Sequence, residues 1–399
     1  MLIRMLFICL LLFKVTTTQG IIELEYSRVY DSIFLDIGFG NPPHNGEIEV
    51  NMNADYNWVS PFYYSPDKSL TSVPIANNTI EHYSKYSNAT IYKDSLFLFY
   101  GSEPLHRIDN MVFYYIEDTI SKHYEFLSFA FKAHDSYSGN HNNFLVPLLK
   151  SKHLIPKASF ALKTNGRYLG EFFLGGIPLT YVSTYTYIAT IPIIIEDDDL
   201  YSRINWGFNL HSITFSNGST YNNNYQYSYF DIKEAYIHSP RKFIEYLRNN
   251  ILYEYITNLK CQINDDYQYN KYTFKCEQDI ISSLPEVYIN IDKYKFKLKQ
   301  GEWFDCYGKS CECIFTLNTR CEGEWIFGLP FITDDIIEFD YDSKEAKLYS
   351  KHDYTCQHES NVNSVNNNTL LIKVIIKHIC LLLILNTLMN MFIIFNKHK

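Results

Sequence analysis

Basic charge is scarce in this sequence. Its 399 residues contain 35 Lys and Arg against 44 Asp and Glu, a formal net charge of −9, and no Lys/Arg cluster stands out. Because nucleic-acid binding needs a basic face to neutralise phosphates, nucleic acid is excluded as the expected partner. Hydrophobic residues make up 46%, so the chain can bury a substantial core, in two domains or one large bilobal one.

Common catalytic motifs are absent as well. The sequence has no His-Glu-x-x-His, no Gly-x-Ser-x-Gly and no P-loop, and we expect neither a cofactor nor a metal site. The acidic run Glu196-Asp-Asp-Asp199 is interpreted as a solvated loop. It falls within residues 190–201, near the middle of the chain, where a crossing between two lobes is expected.

Cysteine is absent between Cys9 and Cys261 and then becomes frequent. Leaving aside Cys9 and Cys380, which lie in the terminal segments, the disulfide candidates are Cys261, Cys276, Cys306, Cys311, Cys313, Cys321 and Cys356. Their number is odd, so one is free or pairs with another chain. The Cys311-x-Cys313 spacing could suggest a metal, but without a nearby His a disulfide role is favoured.

The N-terminus predicts secretion. Residues 1–20 carry a basic residue at Arg4 and an apolar run from Leu6 to Phe13, the layout of a signal peptide. A secreted chain meets an oxidising compartment, where cysteines pair. Predicted glycosylation sites fit that route weakly, since they also arise by chance in an Asn-rich chain. These sites are Asn77, Asn88, Asn217 and Asn367.

The C-terminus predicts a membrane anchor. Residues 379–395 carry no charge, at the short limit for spanning a bilayer, and Lys373 and Lys377 could reach its outer interface. We expect a single-pass anchor at the cell surface or an endomembrane, with a lumenal or extracellular ectodomain. A lipid-anchor signal after the polar stretch Glu359–Asn368 is the alternative, and a packed terminal helix is less favoured.

Short period-two and apolar runs separated by turn residues predict an all-β protein. The expected strands are Ser32–Phe39, Glu47–Val50, Ser95–Phe99, Phe172–Leu174, Ile191–Ile195, Val287–Ile291 and Tyr294–Leu298. The best helical pattern covers residues 240–252, with Phe243, Leu247 and Ile251 on one face and Pro240 near the first turn.

Seven short pieces, in the same order and spacing, resemble the pepsin-like aspartic proteases. The pieces are Ser32-Ile-Phe-Leu-Asp-Ile-Gly-Phe-Gly-Asn-Pro-Pro43, Trp58-Val-Ser-Pro61, Phe160-Ala-Leu162 with Gly170-Glu-Phe-Phe-Leu-Gly-Gly176, Trp206-Gly-Phe-Asn-Leu-His-Ser-Ile213, Leu284-Pro-Glu-Val-Tyr-Ile-Asn-Ile291, Trp325-Ile-Phe-Gly-Leu-Pro-Phe-Ile332 and Ile337-Glu-Phe-Asp340. The resemblance implies a bilobal fold in which each lobe donates a loop to a central cleft.

The resemblance also implies a domain layout. We expect a signal peptide at 1–20, a first lobe at 21–190 and a second lobe at 191–356. A polar linker at 357–369 and an anchor segment at 370–395 complete the chain.

The family's two catalytic aspartates map onto Asn51 and Asp231. The first family Asp stands seven residues before the Trp of Trp-Val, which places Asn51 there, and Asp231 stands nine residues before Pro240. An active site needs two carboxylates that share one proton, and the amide of Asn51 cannot replace one. Asp55 is the only carboxylate in the first loop, but using it would shorten that loop by four residues.

The residues after each position depart from the family pattern too. Met52 and Ile232 replace Thr residues that help to lock the loops together, and Asn53 and Lys233 replace Gly. Positive φ would be more strained for Lys233 than for Asn53. Lys233 is hypothesised to ion-pair with Asp231.

Two further positions belong to this resemblance. In the first lobe, Ser128 stands where the family has the Gly of an apolar-apolar-Gly pattern, a role that Gly328 fills in the second lobe. The family's flap over the cleft carries a Tyr followed by Gly. Tyr83 or Tyr86 could supply the Tyr, but no Gly follows either one.

Two functions follow as hypotheses. The first is a membrane-anchored, catalytically inactive homologue that keeps its cleft to bind a peptide or protein ligand. The second is an active aspartic endopeptidase with an altered site, using Asp55 with Asp231. The distance between these two carboxyl groups separates the hypotheses, because a shared-proton pair requires about 3 Å.

Overall fold

The computed structural model describes residues 20–29, 32–54, 56–82, 85–100, 103–116, 126–131, 144–165, 169–194, 205–224, 226–266, 271–298, 303–317, 323–332 and 335–351. The chain divides into two compact units, Met1–Cys356 and Gln357–Lys399. The predicted signal peptide before Gly20, the acidic run at 196–199 and the C-terminal anchor segment fall outside the described residues. In the described part of the chain, no helix is long and apolar enough to cross a membrane.

The fold is built mainly from β-strands. The first half contains β1 (Ile22–Val29), β2 (Ser32–Phe39), β3 (His44–Asn51), β4 (Trp58–Val59), β5 (Val73–His82), β6 (Lys85–Tyr100), β7 (Glu103–Ile116), β8 (Phe126–Ser128), β9 (Ser159–Asn165), β10 (Leu169–Leu174) and β11 (Thr186–Pro192). The second half contains β12 (Trp206–Phe208), β13 (Leu210–Phe215), β14 (Thr220–Asn222), β15 (Ser228–Phe230), β16 (Ile237–Ser239), β17 (Cys261–Asp266), β18 (Lys271–Glu277), β19 (Val287–Ile291), β20 (Tyr294–Leu298), β21 (Phe304–Tyr307), β22 (Ser310–Cys313), β23 (Phe315–Leu317), β24 (Trp325–Phe327), β25 (Ile336–Asp340) and β26 (Glu345–Ser350).

Helices are short. They are α1 (Leu145–Ser151), α2 (Leu179–Val182), α3 (Arg241–Tyr246), a π-helical turn (Leu247–Ile251), α4 (Tyr253–Thr257), α5 (Gln278–Ile281) and two 3₁₀ turns (Pro66–Lys68 and Leu329–Ile332). The helix predicted after Pro240 forms, with Pro240 as its N-cap and with Phe243, Leu247 and Ile251 buried. Its second half is π-helical, a winding that the sequence pattern does not distinguish from an α-helix.

A 13-stranded sheet joins the two halves of the chain. Its order is β11-β26-β25-β9-β10-β1-β2-β3-β8-β4-β7-β6-β5. The last two strands of the chain, β25 and β26, thus pair with β9 and β11 from the first half, antiparallel in both cases. The predicted strand Ile191–Ile195 ends at Pro192, because Ile193 and Ile194 bond outside the ladder, to Lys344 O and Gly207 O.

Aromatic side chains fill the core beneath this sheet. Trp206 is 0% exposed and packs against Phe160 and Phe339, with ring centroids 5.7 and 4.9 Å away. Its indole N–H donates to the carbonyl of Phe129 at 2.8 Å. One second-half tryptophan therefore ties together strands from both halves, close to the end of β8.

The remaining second-half strands form three sheets. Their orders are β12-β15-β24-β16-β23, β14-β13-β19-β20 and β17-β18-β22-β21. The last sheet carries two disulfides, Cys261–Cys276 and Cys306–Cys311. Cys313, a disulfide candidate, is instead free and buried, while Cys321 and Cys356 lie outside the described residues.

The predicted glycosylation sites have mixed outcomes. Asn77 on β5 and Asn217 in the turn after β13 are exposed, as an acceptor must be. The side chain of Asn88 and the whole of Asn367 fall outside the described part of the chain.

Candidate active site

Two equivalent strand arrangements hold the two predicted catalytic positions. In the first lobe, β3 runs parallel to β8, while β4 pairs antiparallel with β8 and parallel with β7. In the second lobe, β15 runs parallel to β24, while β16 pairs antiparallel with β24 and parallel with β23. Asn51 is the last residue of β3 and Asp231 follows the last residue of β15. The two residues therefore occupy matching places.

The first loop folds back on itself. The side-chain oxygen of Asn51 accepts a hydrogen bond from the backbone N–H of Asn53 at 2.8 Å, which is an Asx-turn. The Asn51 carbonyl accepts from the N–H of Phe129 at 2.7 Å. Neither Asn53 nor Lys233, which stand at the family's Gly positions, has a positive φ, so the strain expected at Lys233 does not arise.

Asn53 joins the two loops directly. Its side-chain N–H donates to Oδ2 of Asp231. The predicted facing pair was Asn51 and Asp231, but the amide that contacts the carboxylate belongs to Asn53. Asn53 stands where the family has Gly, so nothing in the sequence indicated that its side chain would contact Asp231.

Asp231 is a buried carboxylate, 1% exposed. Burial raises its pKa to about 6; the positive charge of Lys233 opposes this rise, and the negative charge of Glu234 adds to it. The Lys233 backbone N–H, 3.4 Å from Oδ1, also favours the ionised form, as does the Asn53 donor. The group is thus poised between its two protonation states near mildly acidic pH.

The side chain of Asn53 can hydrogen-bond to Asp231 in either of its protonation states. Its side-chain oxygen is buried and has no hydrogen-bond partner among the described residues. Because the two ends of an amide exchange places on a half rotation, a protonated Asp231 could donate to that oxygen. An ionised Asp231 instead accepts from the amide nitrogen.

The other carboxylates near Asp231 are engaged. Glu49 lies 3.7 Å from the ammonium of Lys233 and accepts from the hydroxyl of Ser32 at 3.1 Å. Glu234 lies 2.9 Å from His238 Nε2. Lys233 makes an ion pair with Glu49, across the lobes. Its influence on Asp231 comes through its charge and its backbone N–H.

Met52 and Ile232, the residues at the two Thr positions, are both buried and in contact. The backbone N–H of Ile232 donates to the sulfur of Met52 at 3.5 Å. One hydrogen bond between the loops therefore remains at the positions where the family has two Thr residues. Ile232 has no side-chain acceptor and cannot return the bond, so the locking contact is single and weak.

Ser128 and Gly328 occupy matching positions beneath the loops. The hydroxyl of Ser128 donates to the carbonyl of Ala54. The carbonyl three residues after Asp231, that of Glu234, would lie 2.2 Å from a Cβ placed on Gly328. The predicted packing role of Gly328 is thus present in the geometry.

Asn57 was missed by sequence reasoning. It is 2% exposed; its side chain accepts from the Ser128 N–H at 2.9 Å and donates to Val112 O at 3.1 Å. It therefore fixes the end of the first loop to β8 and β7. The only available signal was an amide one residue before Trp58.

The flap position falls on the hairpin formed by β5 and β6, where Glu81 faces Tyr86 and His82 faces Lys85. Tyr83 and the side chain of Tyr86 are not among the described residues. Neither is Asp55, so its separation from Asp231 stays a prediction to be tested. Among the described residues, no group of three or more His, Cys, Asp or Glu could hold a metal ion.

Comparison with known proteins agrees with this arrangement. The family model described as eukaryotic aspartyl protease matches residues 123–350, more than half of the chain. The solved structure of an aspartic proteinase from Irpex lacteus is similar with a TM-score of 0.62 and 16% identity, covering 86% of this chain and 99% of that one. At this identity the likeness concerns the fold alone. No curated protein sequence matches the chain. The family match and the paired loops lead to one conclusion: the chain belongs to the eukaryotic aspartyl protease family.

Proposed function

We propose that this protein is a catalytically inactive, membrane-anchored member of its family, whose cleft binds a peptide or protein segment without cleaving it. The observation that carries the proposal is the contact made by Asp231. Its Oδ2 accepts from the amide of Asn53, two residues after an Asn at the first catalytic position.

The chemistry of hydrolysis supports this view. One carboxylate must take a proton from water while the other, protonated, donates to the substrate carbonyl. An amide is not a base near neutral pH and has no proton to exchange in this way. Glu49 and Glu234, the carboxylates that act on the pKa of Asp231, are held by Lys233 and His238.

Retention of the scaffold supports binding. The loops still meet through the Asn53–Asp231 and Ile232–Met52 contacts, and the β5–β6 hairpin is formed. Clefts with a few placed polar groups are typical ligand sites. A peptide or protein is the ligand class that the fold accommodates, as an expectation carried over from the family.

Cleavage of an unfolded protein at acidic pH tests the loss of catalysis. We expect the purified protein to release no more peptide than the matched Asp231→Ala variant. Cleavage that disappears in Asp231→Ala would contradict the proposal and favour an active peptidase in which Asp55 pairs with Asp231. A variant combining Asn51→Asp with Asn53→Gly supplies the second carboxylate and removes the amide from Asp231. It serves as the gain-of-function comparison.

The proposed route to the cell surface or an endomembrane has its own test. It is supported by the predicted terminal segments, the exposed sequons Asn77 and Asn217, and the two disulfides. On intact cells, external protease should remove the ectodomain, and Asn77→Gln with Asn217→Gln should reduce a glycosidase-sensitive gel shift. A protein that stays protected and unshifted in every compartment would refute this part.

A further inference from the structure

Four cysteines stand in one row across the sheet β17-β18-β22-β21. Cys261 is directly opposite Cys276, Cys276 is opposite Cys311, and Cys311 is opposite Cys306. Residues directly opposite each other on antiparallel strands project to the same face, with Cβ atoms about 4.5–5.5 Å apart. The two disulfides therefore lie end to end, with Cys276 and Cys311 as neighbours at the middle of the row.

The geometry points to a thiol–disulfide exchange site in this row, which takes a low-molecular-weight thiol at Cys306 and transfers the exchange inward to Cys261. This site is separate from the cleft and does not depend on the proposed function.

Access distinguishes the two ends of the row. Cys306 lies on the edge strand β21 and is exposed, whereas Cys311, Cys276 and Cys261 are 0%, 2% and 3% exposed. An external thiolate can therefore reach the sulfur of Cys306 first. Its attack forms a new S–S bond to Cys306, breaks the Cys306–Cys311 bond and leaves the electron pair on Cys311 as a thiolate.

The second step uses the neighbour of Cys311. The Cys311 thiolate attacks the sulfur of Cys276, forms a Cys276–Cys311 bond and expels Cys261 as a thiolate, which then takes a proton from solvent. One S–S bond replaces another in each step, so no oxidant or reductant is consumed. The external thiol remains on Cys306 as a mixed disulfide.

The product differs from the starting structure in which strands its intramolecular disulfide joins. The two original disulfides each close one hairpin, with sequence separations of 15 and 5 residues. The new bond joins the β17–β18 hairpin to the β21–β22 hairpin and closes a longer loop. In the chain-entropy account the longer loop restricts the unfolded chain more than either short loop alone, but the product keeps one intramolecular disulfide where the starting structure has two. Loop closure therefore favours the starting structure, and the exchange needs an excess of the external thiol.

Cys313 provides a matched control. It lies two residues beyond Cys311 on the same strand, is 0% exposed and is free. Burial raises the pKa of its thiol to about 12, so it stays protonated and is a poor nucleophile. Cys311 is equally buried, but cleavage of its disulfide releases it as a thiolate directly opposite Cys276. Replacing it by Ser should leave the exchange unchanged.

Disulfide mapping of the intact protein tests the proposal. Trypsin cleavage after Lys260, Lys271, Lys275, Lys299 and Lys309 places the four cysteines in four separate peptides. After a short treatment with reduced glutathione, alkylation and digestion, we expect a peptide pair joining Cys276 to Cys311, glutathione on Cys306 and newly alkylated Cys261. The Cys313→Ser protein should give the same products, and its Cys311 peptide has no second cysteine.

A second variant removes the need for an added thiol. In Cys261→Ser, Cys276 becomes a free thiol beside the Cys306–Cys311 bond, so the Cys276–Cys311 bond should form spontaneously and leave Cys306 open to alkylation. The proposal is overturned if that variant keeps Cys306–Cys311 and alkylates at Cys276. It is equally overturned if glutathione opens Cys306–Cys311 in the natural protein and no Cys276–Cys311 pair ever appears. The glutathione experiment on the natural protein tests the proposal even if the Cys261→Ser variant fails to fold.

Discussion

The two central loops share one backbone arrangement and differ in how their side chains fill it. In the second lobe, Gly328 leaves room for the carbonyl of Glu234 to approach closely. In the first lobe, Ser128 occupies the matching place, and its hydroxyl donates to the carbonyl of Ala54. One loop is thus packed backbone against backbone, and the other is bridged by a side-chain hydrogen bond.

The same contrast extends to the polar groups above these positions. The second loop keeps its carboxylate, Asp231, while the first loop supplies only amides, Asn51 and Asn53, and one of them donates to Asp231. The comparison shows that the strands, and not the catalytic residues, bring the two loops together. This arrangement can therefore survive the loss of catalytic residues. Four predictions test how far the loops differ, from the largest expected effect to the smallest.

Gly328→Ala should be the most damaging change. Its Cβ would lie 2.2 Å from Glu234 O and 2.6 Å from Tyr236 O, and both obstacles are backbone atoms that cannot rotate away. We expect a loss of about 3 kcal/mol in the free energy of unfolding, at the upper end for overpacking, measured by urea denaturation. An unchanged midpoint would show that the second loop is not tightly packed.

Asp231→Asn should stabilise the protein at neutral pH. The pKa of Asp231 is raised to about 6 in the folded state, above the value of about 3.9 for an unfolded Asp, so the folded state binds the proton more tightly. The stability from this group is fully present below about pH 4 and is lost as pH rises through about 6.

The asparagine variant does not undergo that loss. Relative to the natural protein it should gain up to about 3 kcal/mol between acidic and neutral pH, measured by urea denaturation at both pH values. Asn51→Gln, in the matching place of the first loop, serves as the comparison and should show no such pH dependence. A variant less stable than the natural protein at neutral pH would refute the assigned burial cost.

Ser128→Ala should cost less than Gly328→Ala. It keeps the Cβ but removes the hydroxyl that donates to Ala54 O, so a loss of about 1 kcal/mol is expected. Thermal unfolding of Ser128→Ala measures the loss of the hydrogen bond, and comparison with Ser128→Gly measures the additional effect of removing the Cβ. A gain in stability in Ser128→Gly would mean that the first loop prefers the glycine packing of the second.

The ion pair between Lys233 and Glu49 should contribute least. The two side chains are 3.7 Å apart and 20% and 12% exposed, so a double-mutant cycle with Lys233→Gln and Glu49→Gln should give a coupling of about 1 kcal/mol or less that falls with added salt. A larger, salt-independent coupling would assign the pair a major role in joining the lobes.

Local pattern was sufficient for much of the fold. Ser32–Phe39, Val287–Ile291 and Tyr294–Leu298 form strands with the predicted bounds. The last two alternate between buried and half-buried side chains, as a strand with one face on the core does, whereas the first is a short apolar run that is buried along most of its length. The half-π helix after Pro240 was not predictable, since its 3.6-residue pattern is compatible with either winding.

Contacts between distant segments could not be read from the sequence. Asn53 and Asp231 are separated by 178 positions, and their contact depends on how two loops cross. The order of cysteines along the row β17-β18-β22-β21 depends on strand register in the same way. Motif spacing identified Asn51 and Asp231 as equivalent but could not show which amide reaches the carboxylate.

Titration of the Asp231 carboxyl carbon by NMR tests the central claim most directly. A buried Asp231 that shares no proton with Asp55 predicts one ionisation step near pH 6, unchanged in Asp55→Asn. Two coupled steps, reduced to one in Asp55→Asn, would reveal a second carboxylate sharing its proton. Such a result would contradict the assignment of this site as inactive.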